Sequence, residues 1–201
     1  FSDDAPGGIR IVDTNNDGSL TPEDRVALGT PYPDFTWGIT NTFQIKDFDI
    51  SFLIQGVQGI TVLNGDVYYN ETKKWNKKYT KNRWVSAEHP GDGKTPYQNV
   101  KTGHDLMLTD YPLQNASYAC LRNFTVGYTL PATAARKIKL SGVRFYVSGS
   151  NLLYIWGSGY KGINPESRMT SGNYSSAMIS GYQRGGFPLT STISAGFDIN
   201  F

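Results

Sequence analysis

LTSTISAGFDINF, Leu189 to Phe201, alternates without a break. Ile193, Ala195, Phe197, Ile199 and Phe201 fall on one side of an extended chain, and Thr192, Ser194, Gly196, Asp198 and Asn200 on the other, because side chains alternate along a strand. A strand of a soluble sandwich shows the same two faces. Length separates the readings: a tilted strand that crosses a bilayer needs about 9–11 residues, whereas strands of soluble proteins average about five or six. The choice rests on whether the rest of the chain supplies companions.

Companions are found upstream. Phe35, Trp37, Ile39, Phe43 and Ile45 share a face against Thr36, Gly38, Thr40, Thr42 and Gln44. After the tight polar turn Lys46-Asp47, Phe48, Ile50, Phe52 and Ile54 oppose Asp49, Ser51, Leu53 and Gln55, which makes a hairpin by pattern. A third strand from about Ala119 to Leu130 sets Phe124, Val126, Tyr128 and Leu130 against Asn123, Thr125, Gly127 and Thr129. A fourth carries Val143, Phe145 and Val147 against Arg144, Tyr146 and Ser148. Cys120 has the parity of the apolar face, so it reads as a small apolar residue in preference to a nucleophile.

The connections sort by length. Lys46 to Asp47 and Pro131 to Gly142 are short, while Ile60 to Ser117 and Ile155 to Pro188 are long. Outer-membrane barrels place brief turns on the periplasmic side and long loops outside, whereas a soluble sandwich has no reason to sort its loops. Trp37, Tyr128, Tyr154 and Trp156 lie near strand ends and suit aromatic girdles. The polar faces, with Gln44, Asp49, Gln55, Arg144 and Asp198, are expected to point into a lumen, so that Phe52→Arg blocks assembly and Gln55→Arg is tolerated.

Composition removes other classes. A net charge of +2 over 201 residues does not point to nucleic acid. One cysteine excludes an internal disulfide framework, and with only His89 and His104 beside it there are too few soft ligands for zinc. A mean hydropathy of -0.40, without an apolar run near twenty residues, excludes a helical membrane span. Alternation cancels in such an average, so a barrel stays open. The sequence also contains no set of nucleophile, base and orienting group, and an enzyme is not expected.

One constellation is metal-like. DTNNDGSLTPED, Asp13 to Asp24, has the spacing of an EF-hand-type calcium loop: oxygen side chains at Asp13, Asn15 and Asp17, Gly18 at the sharp turn, the Ser19 carbonyl, and a carboxylate at loop position twelve, Asp24. Hard oxygen donors suit Ca²⁺. Position twelve is Asp in place of the longer Glu, and no helix precedes Asp13; the same residues also describe a polar turn entering a short helix with Thr21 as N-cap and Pro22 first. In the long loop, Tyr68, Tyr69, Trp75, Tyr79, Trp84 and Tyr97 are interleaved with Lys73, Lys74, Lys77, Lys78, Lys81 and Arg83. Such aromatics stack on a sugar or peptide, line a partner interface, or pack the loop against itself.

With these segments in view, the chain resembles the C-terminal end of the SusC/RagA family of TonB-dependent outer-membrane transporters. The likeness is carried by DTNNDGSLTPEDRVALGTPYPDFTWG (Asp13 to Gly38), FDISFLIQGVQG (Phe48 to Gly59), NRW (Asn82 to Trp84), SYACLRNFTVGYTLP (Ser117 to Pro131), VRFYVSGSNLLYIW (Val143 to Trp156) and Phe201. The Tyr118-Ala119-Cys120-Leu121 stretch is smaller than the family's usual leucine-rich version. The resemblance implies an all-β fold, the C-terminal strands of a large transmembrane antiparallel β-barrel with long extracellular loops. Residues 1–34 would then be an extracellular loop with the calcium site, 35–59 a transmembrane hairpin and 60–117 a long extracellular loop. A second hairpin, 118–154, a further extracellular loop, 155–188, and the terminal strand, 189–201, complete the order. It further implies a plug domain and TonB box upstream, and Phe201 as an assembly signal. About five strands cannot close a barrel that needs at least eight, so the chain is expected to be part of a longer protein.

The expected function is TonB-dependent import of oligosaccharides or peptides across the bacterial outer membrane, with a SusD-like surface lipoprotein and the TonB complex as partners. The alternative is a secreted, calcium-stabilised β module that binds carbohydrate, which predicts a water-soluble domain. A barrel that anchors an enzyme or adhesin is a third reading, distinguishable only outside these residues.

Overall fold

The computed structural model describes residues 6–66, 81–97, 108–167 and 181–201. The chain divides into two compact units. The first to consider comprises Pro33–Gly59, Ser117–Gly157 and Pro188–Phe201 and is a single five-stranded sheet. Its strands are β1 (Phe35–Ile45), β2 (Phe48–Gln58), β5 (Tyr118–Thr129), β6 (Gly142–Trp156) and β8 (Thr192–Asn200). They lie in sequence order and every pair is antiparallel. Lengths of 11, 11, 12, 15 and 9 residues meet what a tilted membrane-crossing strand requires. The sheet is not closed on itself, since β1 and β8 each pair on one side only.

Register fixes the faces. Ile45 pairs with Phe48, Phe43 with Ile50 and Ile39 with Ile54, and Phe48, Ile50 and Phe52 pair onward with Tyr128, Val126 and Phe124. Phe145, Val147, Phe197 and Ala195 extend the same apolar face. This face is bare: Ile39, Phe43, Phe145, Phe197 and Ile193 are all strongly exposed, up to 75% for Ile193. A contiguous apolar surface of this extent marks contact with a membrane or partner, not with water. Two ring pairs knit it, Phe48 with Tyr128 at 4.8 Å and Phe43 with Phe52 at 6.1 Å between centroids.

The strands turn tightly at one end. Lys46, the first of the two residues between β1 and β2, takes a φ of 55°, as a two-residue hairpin needs at that place. Between β5 and β6 runs a short helix, Ala132–Lys137, with Arg136 and Lys137 in its last turn, where cations favour the helix dipole. All the long connections join the opposite strand ends.

The second unit comprises Phe1–Tyr32, Ile60–Ala116 and Ser158–Phe187. Sequence periodicity predicts only loop here, but the structure contains a small sheet: β3 (Thr61–Asn64) pairs antiparallel with β4 (Leu113–Asn115) and parallel with β7 (Tyr182–Gln183). Strands of two to four residues are too short to display a period, which is why the pattern misses them. Their hold comes from buried amides. The Asn64 Nδ2 donates to Gln114 Oε1 at 3.1 Å, and the Lys161 backbone N–H donates to the same oxygen at 2.9 Å. Gln183 accepts from the Tyr160 hydroxyl at 2.7 Å and donates to the carbonyls of Ser167, 2.6 Å, and Pro165, 3.3 Å. Buried amides so satisfied specify one arrangement, because each unmade bond would leave a desolvated polar atom. No described helix is long and apolar enough to cross a membrane, which leaves strand crossing untouched.

Candidate functional site

The polar face of the long sheet carries two arginine-centred clusters. Arg144 on β6 forms a two-pronged pair with Asp49 on β2, Nε to Oδ1 at 3.0 Å and Nη2 to Oδ2 at 2.7 Å, and reaches Asp198 on β8 at 3.3 Å. Its guanidinium also lies 5.2 Å from the Tyr146 ring centroid. The Asp49 pair spans the intervening strand β5, and the residue it passes over is Gly127. A Cβ at that position would meet both Asp49 Oδ1 and Arg144 Nη2, so a side chain there would push the ion pair aside. Three strands, β2, β6 and β8, are thereby linked across β5 by one cluster, with Asp49, Arg144 and Asp198 on a common face as alternation predicts.

The second cluster exists because of a bulge. Between Leu121 and Asn123 the pairing of β5 shifts on both sides, leaving Arg122 as an extra residue. A one-residue bulge inverts strand parity, since two residues then stand opposite one. Arg122 consequently joins the polar face, donating from Nε to Gln55 Oε1 at 2.7 Å and from Nη1 to Asn151 Oδ1 at 2.8 Å and the Tyr154 hydroxyl at 2.9 Å. Its guanidinium sits 5.8 Å from the Tyr154 ring centroid. Facing irregularity in β6 skips two residues, Asn151 and Leu152, and so keeps parity; Asn151 takes the left-handed φ of 54° that the kink needs.

Two sequence expectations change here. Cys120 pairs with Gln55 and Tyr154, so the bulge puts it on the polar face, not the apolar one; it is buried, 1% exposed, and keeps the packing role. Tyr154 and Trp156 share that face with Tyr118, whose ring lies 6.1 Å from that of Tyr154, and therefore do not belong to a lipid-facing girdle. Trp37 and Tyr128 do lie on the apolar face, where Trp37 covers Gly56.

The loop Asp13 to Asp24 closes on itself. Asp13 accepts from the N–H groups of Asn16 and Gly18 at 2.7 and 2.8 Å, Asn15 from Asp17 at 2.9 Å, and Asp17 from Ser19 at 2.7 Å. Asp24 accepts from Thr21 and Thr14, each at 2.8 Å, which ties loop position twelve back beside position one and completes the capping box of the 3-10 turn Pro22–Asp24. The Thr21 N–H, then those of Thr14 and Asn15, hold the Asp24 carboxyl below its ordinary range. Donor chemistry here suits a hard cation, and each carboxylate keeps lone pairs beyond those the N–H groups use. Among the described residues, however, no three acidic, histidine or cysteine side chains converge on one point. Asp13, Asn15, Asp17, Ser19 and Asp24 form a closed ring.

Of the loop aromatics, Trp84 and Tyr97 pack edge to face at 6.5 Å, with Gly7 against the Trp84 ring. Their segment is pinned by Asp92, which accepts from the N–H groups of Lys94 and Thr95 at 2.9 and 2.7 Å. Burial pushes the Asp92 carboxyl up, but these bonds and the Thr95 hydroxyl together hold it below its usual range. Tyr68, Tyr69, Trp75 and Tyr79 lie outside the described residues. The amides Asn64, Gln114 and Gln183 escaped the sequence reading altogether, since isolated amides between turns carry no period.

Comparison with known proteins gives one consistent set. TonB-dependent receptor P3 of Formosa agariphila is 30% identical over 99% of this chain, and TonB-dependent receptor SusC of Bacteroides thetaiotaomicron is 27% identical over 78% of it. Among solved structures, the RagAB peptide importer in its closed-closed state superposes with a TM-score of 0.69 at 20% identity, over 91% of this chain and 19% of that one. The chain spans about one fifth of the length of the Formosa relatives, 19% of P3 and 20% of receptor P26. No family model matches.

Proposed function

The chain belongs to the SusC/RagA family of TonB-dependent receptors of the outer membrane, and on that premise we propose that its five long strands are wall strands of a barrel that imports large nutrients, oligosaccharides or peptides, with energy delivered through TonB. A SusD-like surface lipoprotein is the partner of its long loops. The observation that carries this reading is the sheet with one bare apolar face and one hydrogen-bonded polar face. A barrel wall between lipid and a wet lumen needs both, and the secreted carbohydrate-binding module has no use for the first. No chemistry is assigned to the strands.

The test is mass spectrometry of the native receptor purified from outer membranes in detergent, paired with uptake assays in cells with and without TonB. Copurification of a surface lipoprotein and loss of uptake without TonB are the expected results. A receptor that copurifies with no lipoprotein and whose deletion leaves uptake of every glycan and peptide tested intact overturns the reading.

A second proposal concerns Asp13 to Asp24, where closure of the ring by Asp24 favours Ca²⁺ binding with Asp13, Asn15, Asp17, the Ser19 carbonyl and Asp24 as ligands. The lone pairs that Asp13 and Asp17 do not give to N–H groups would serve as the donors. Calorimetry is expected to show a Ca²⁺ heat that an Asp13→Ala, Asp17→Ala variant lacks; equal heats from both proteins refute it.

A further inference from the structure

We infer that the tight-turn end of the long sheet carries a surface for the anionic phospholipid headgroups of the periplasmic leaflet, formed by Lys46, Arg136, Lys137 and Lys139 around Ile138. It rests on the reading of the strands as membrane-crossing, not on what the receptor imports. Three observations converge. The first is charge: residues 45–48 and 130–141 carry these four cations against one carboxylate, Asp47. All four are exposed, and among the described residues none of them enters an ion pair. A hydrogen bond from the Thr129 N–H to the Asp47 carbonyl, 2.8 Å, ties the Lys46 turn to the strand end from which the helix departs.

The second is the backbone beneath two of the lysines. Among the described non-glycine residues with left-handed backbone, two are asparagines, Asn16 and Asn151, and two are lysines, Lys46 at φ 55° and Lys139 at φ 60°. Asparagine tolerates that region and glycine has no Cβ to clash there, so lysine is the strained choice at both turns. Lys139 follows the helix at the place where a Schellman cap favours glycine. Its N–H donates to the Arg136 carbonyl at 3.0 Å, and the Leu140 N–H to that of Ala135 at 3.1 Å. Attraction to the helix dipole accounts for Arg136 and Lys137 in the last turn, but not for Lys46. Strain that persists at two turns of one end points to a use for the side chains themselves.

The third is placement against the apolar face. Val143 lies on that face and is 6% exposed, whereas Phe145 and Ile199 beside it are 51% and 39% exposed. Segment 130–141, whose helix packs on β6 and buries Ala135, supplies the cover. The helix therefore folds toward the lipid side of the wall, not over the lumen. Ile138, 57% exposed, stands between Lys137 and Lys139. An apolar residue among cations, just past an apolar band, is built as an interfacial anchor: the apolar group sits at acyl-chain depth and the cations level with phosphates. Short turns of an outer-membrane barrel face the periplasm, so the phosphates are those of that leaflet.

The experiment places the full-length receptor in nanodiscs of phosphatidylethanolamine and phosphatidylglycerol, and native mass spectrometry counts the lipids that the released barrel retains. The parent is expected to hold phosphatidylglycerol in preference, and Lys46→Asn, Lys139→Asn to lower its ratio to phosphatidylethanolamine roughly fivefold. Asparagine suits left-handed backbone, so this double variant removes charge while easing both turns. Heat-modifiable electrophoretic mobility confirms that its barrel forms. Where it does not assemble, Arg136→Gln, Lys137→Gln takes its place with the same expectation. Lys94→Asn, a charge loss in the loop unit, is expected to leave the ratio unchanged. Equal ratios for parent and double variant, or an equal fall in Lys94→Asn, overturn the inference. So does a parent that shows no preference for phosphatidylglycerol and sediments with peptidoglycan through the same lysines. A receptor missing from outer-membrane fractions removes the membrane wall and the lipid surface together; one present there with equal ratios removes the lipid surface alone.

Discussion

The long sheet and the small sheet of the loop unit are both built from paired strands, yet they solve opposite problems. In the long sheet each strand carries its own instructions: nine or more alternating residues give a continuous apolar face, and hydrogen bonds run from strand to strand without help. In the small sheet, strands of two to four residues contribute few ladder bonds, and side-chain amides from distant segments finish the work. The long sheet is specified by pattern and its solvent; the small one is specified by particular atoms. Substitutions should therefore act by face in the first and by partner in the second.

The largest expected effect is on the apolar face. Phe52→Arg places a charge toward lipid at a cost of roughly 2–4 kcal/mol at mid-bilayer, and is expected to abolish the assembled receptor in outer-membrane fractions. The matching control belongs at Ser51 on the polar face, where Ser51→Arg is expected to assemble. Gln55→Arg is a poorer control than the sequence suggested, because Gln55 is the acceptor for Arg122 and a second guanidinium there sets like charges together. Equal loss from Phe52→Arg and Ser51→Arg would erase the distinction between faces.

Next is the loop unit. Gln183→Ala removes one partner from each of Tyr160, Pro165 and Ser167, at about 1–3 kcal/mol for such a buried group. Limited proteolysis is expected to cut the long loops of this variant faster while the barrel band stays intact. Protection equal to that of the parent would show that pattern, not partners, holds this unit.

A smaller effect is expected at Gly127→Val, whose side chain displaces the Asp49–Arg144 pair. The pair is about two-thirds shielded, so its loss is expected to lower barrel stability by about 1 kcal/mol or less in urea titrations, and Asp49→Ala in the same background should add little. Additive losses would mean that the glycine serves some other contact.

The smallest effect is local. Asp24 has a carboxyl held below its ordinary range, so its contribution is complete above the unfolded value and disappears as pH falls through the folded one. Amide exchange at Thr14 and Thr21 is expected to quicken under acid below the usual carboxylate range, and in Asp24→Asn to be faster at neutral pH with that acid step gone. An acid step that survives Asp24→Asn assigns it elsewhere.

Much of the long sheet was legible because its period is two and its strands are long. Phe48 to Gln55 and Leu189 to Phe201 announce their faces residue by residue. Legibility failed where parity broke. Arg122 and Asn123 are adjacent polar residues in a strand, and Leu152 and Leu153 adjacent apolar ones, and those two doublets are the signals that would have located the bulge and corrected Cys120. The girdle assignment of Tyr154 and Trp156 failed differently, since their even numbering already matched Arg144 and Tyr146 and aromatic character was given more weight than parity. In the calcium-like loop, spacing predicted the turn and its capping box, but spacing alone could not tell that the carboxylates would be engaged by backbone N–H groups.

The two irregularities at the middle of β5 and β6 also bear on how such a wall changes over generations. Deleting Arg122 would exchange the faces of every residue from Tyr118 to Leu121 at a stroke, sending a tyrosine and a cysteine toward lipid and a leucine inward. Removing both Asn151 and Leu152 would leave every face of β6 where it was. Length variation among descendants of this gene should accordingly arrive in even steps along these strands, and single-residue insertions or deletions should survive only as compensating doublets.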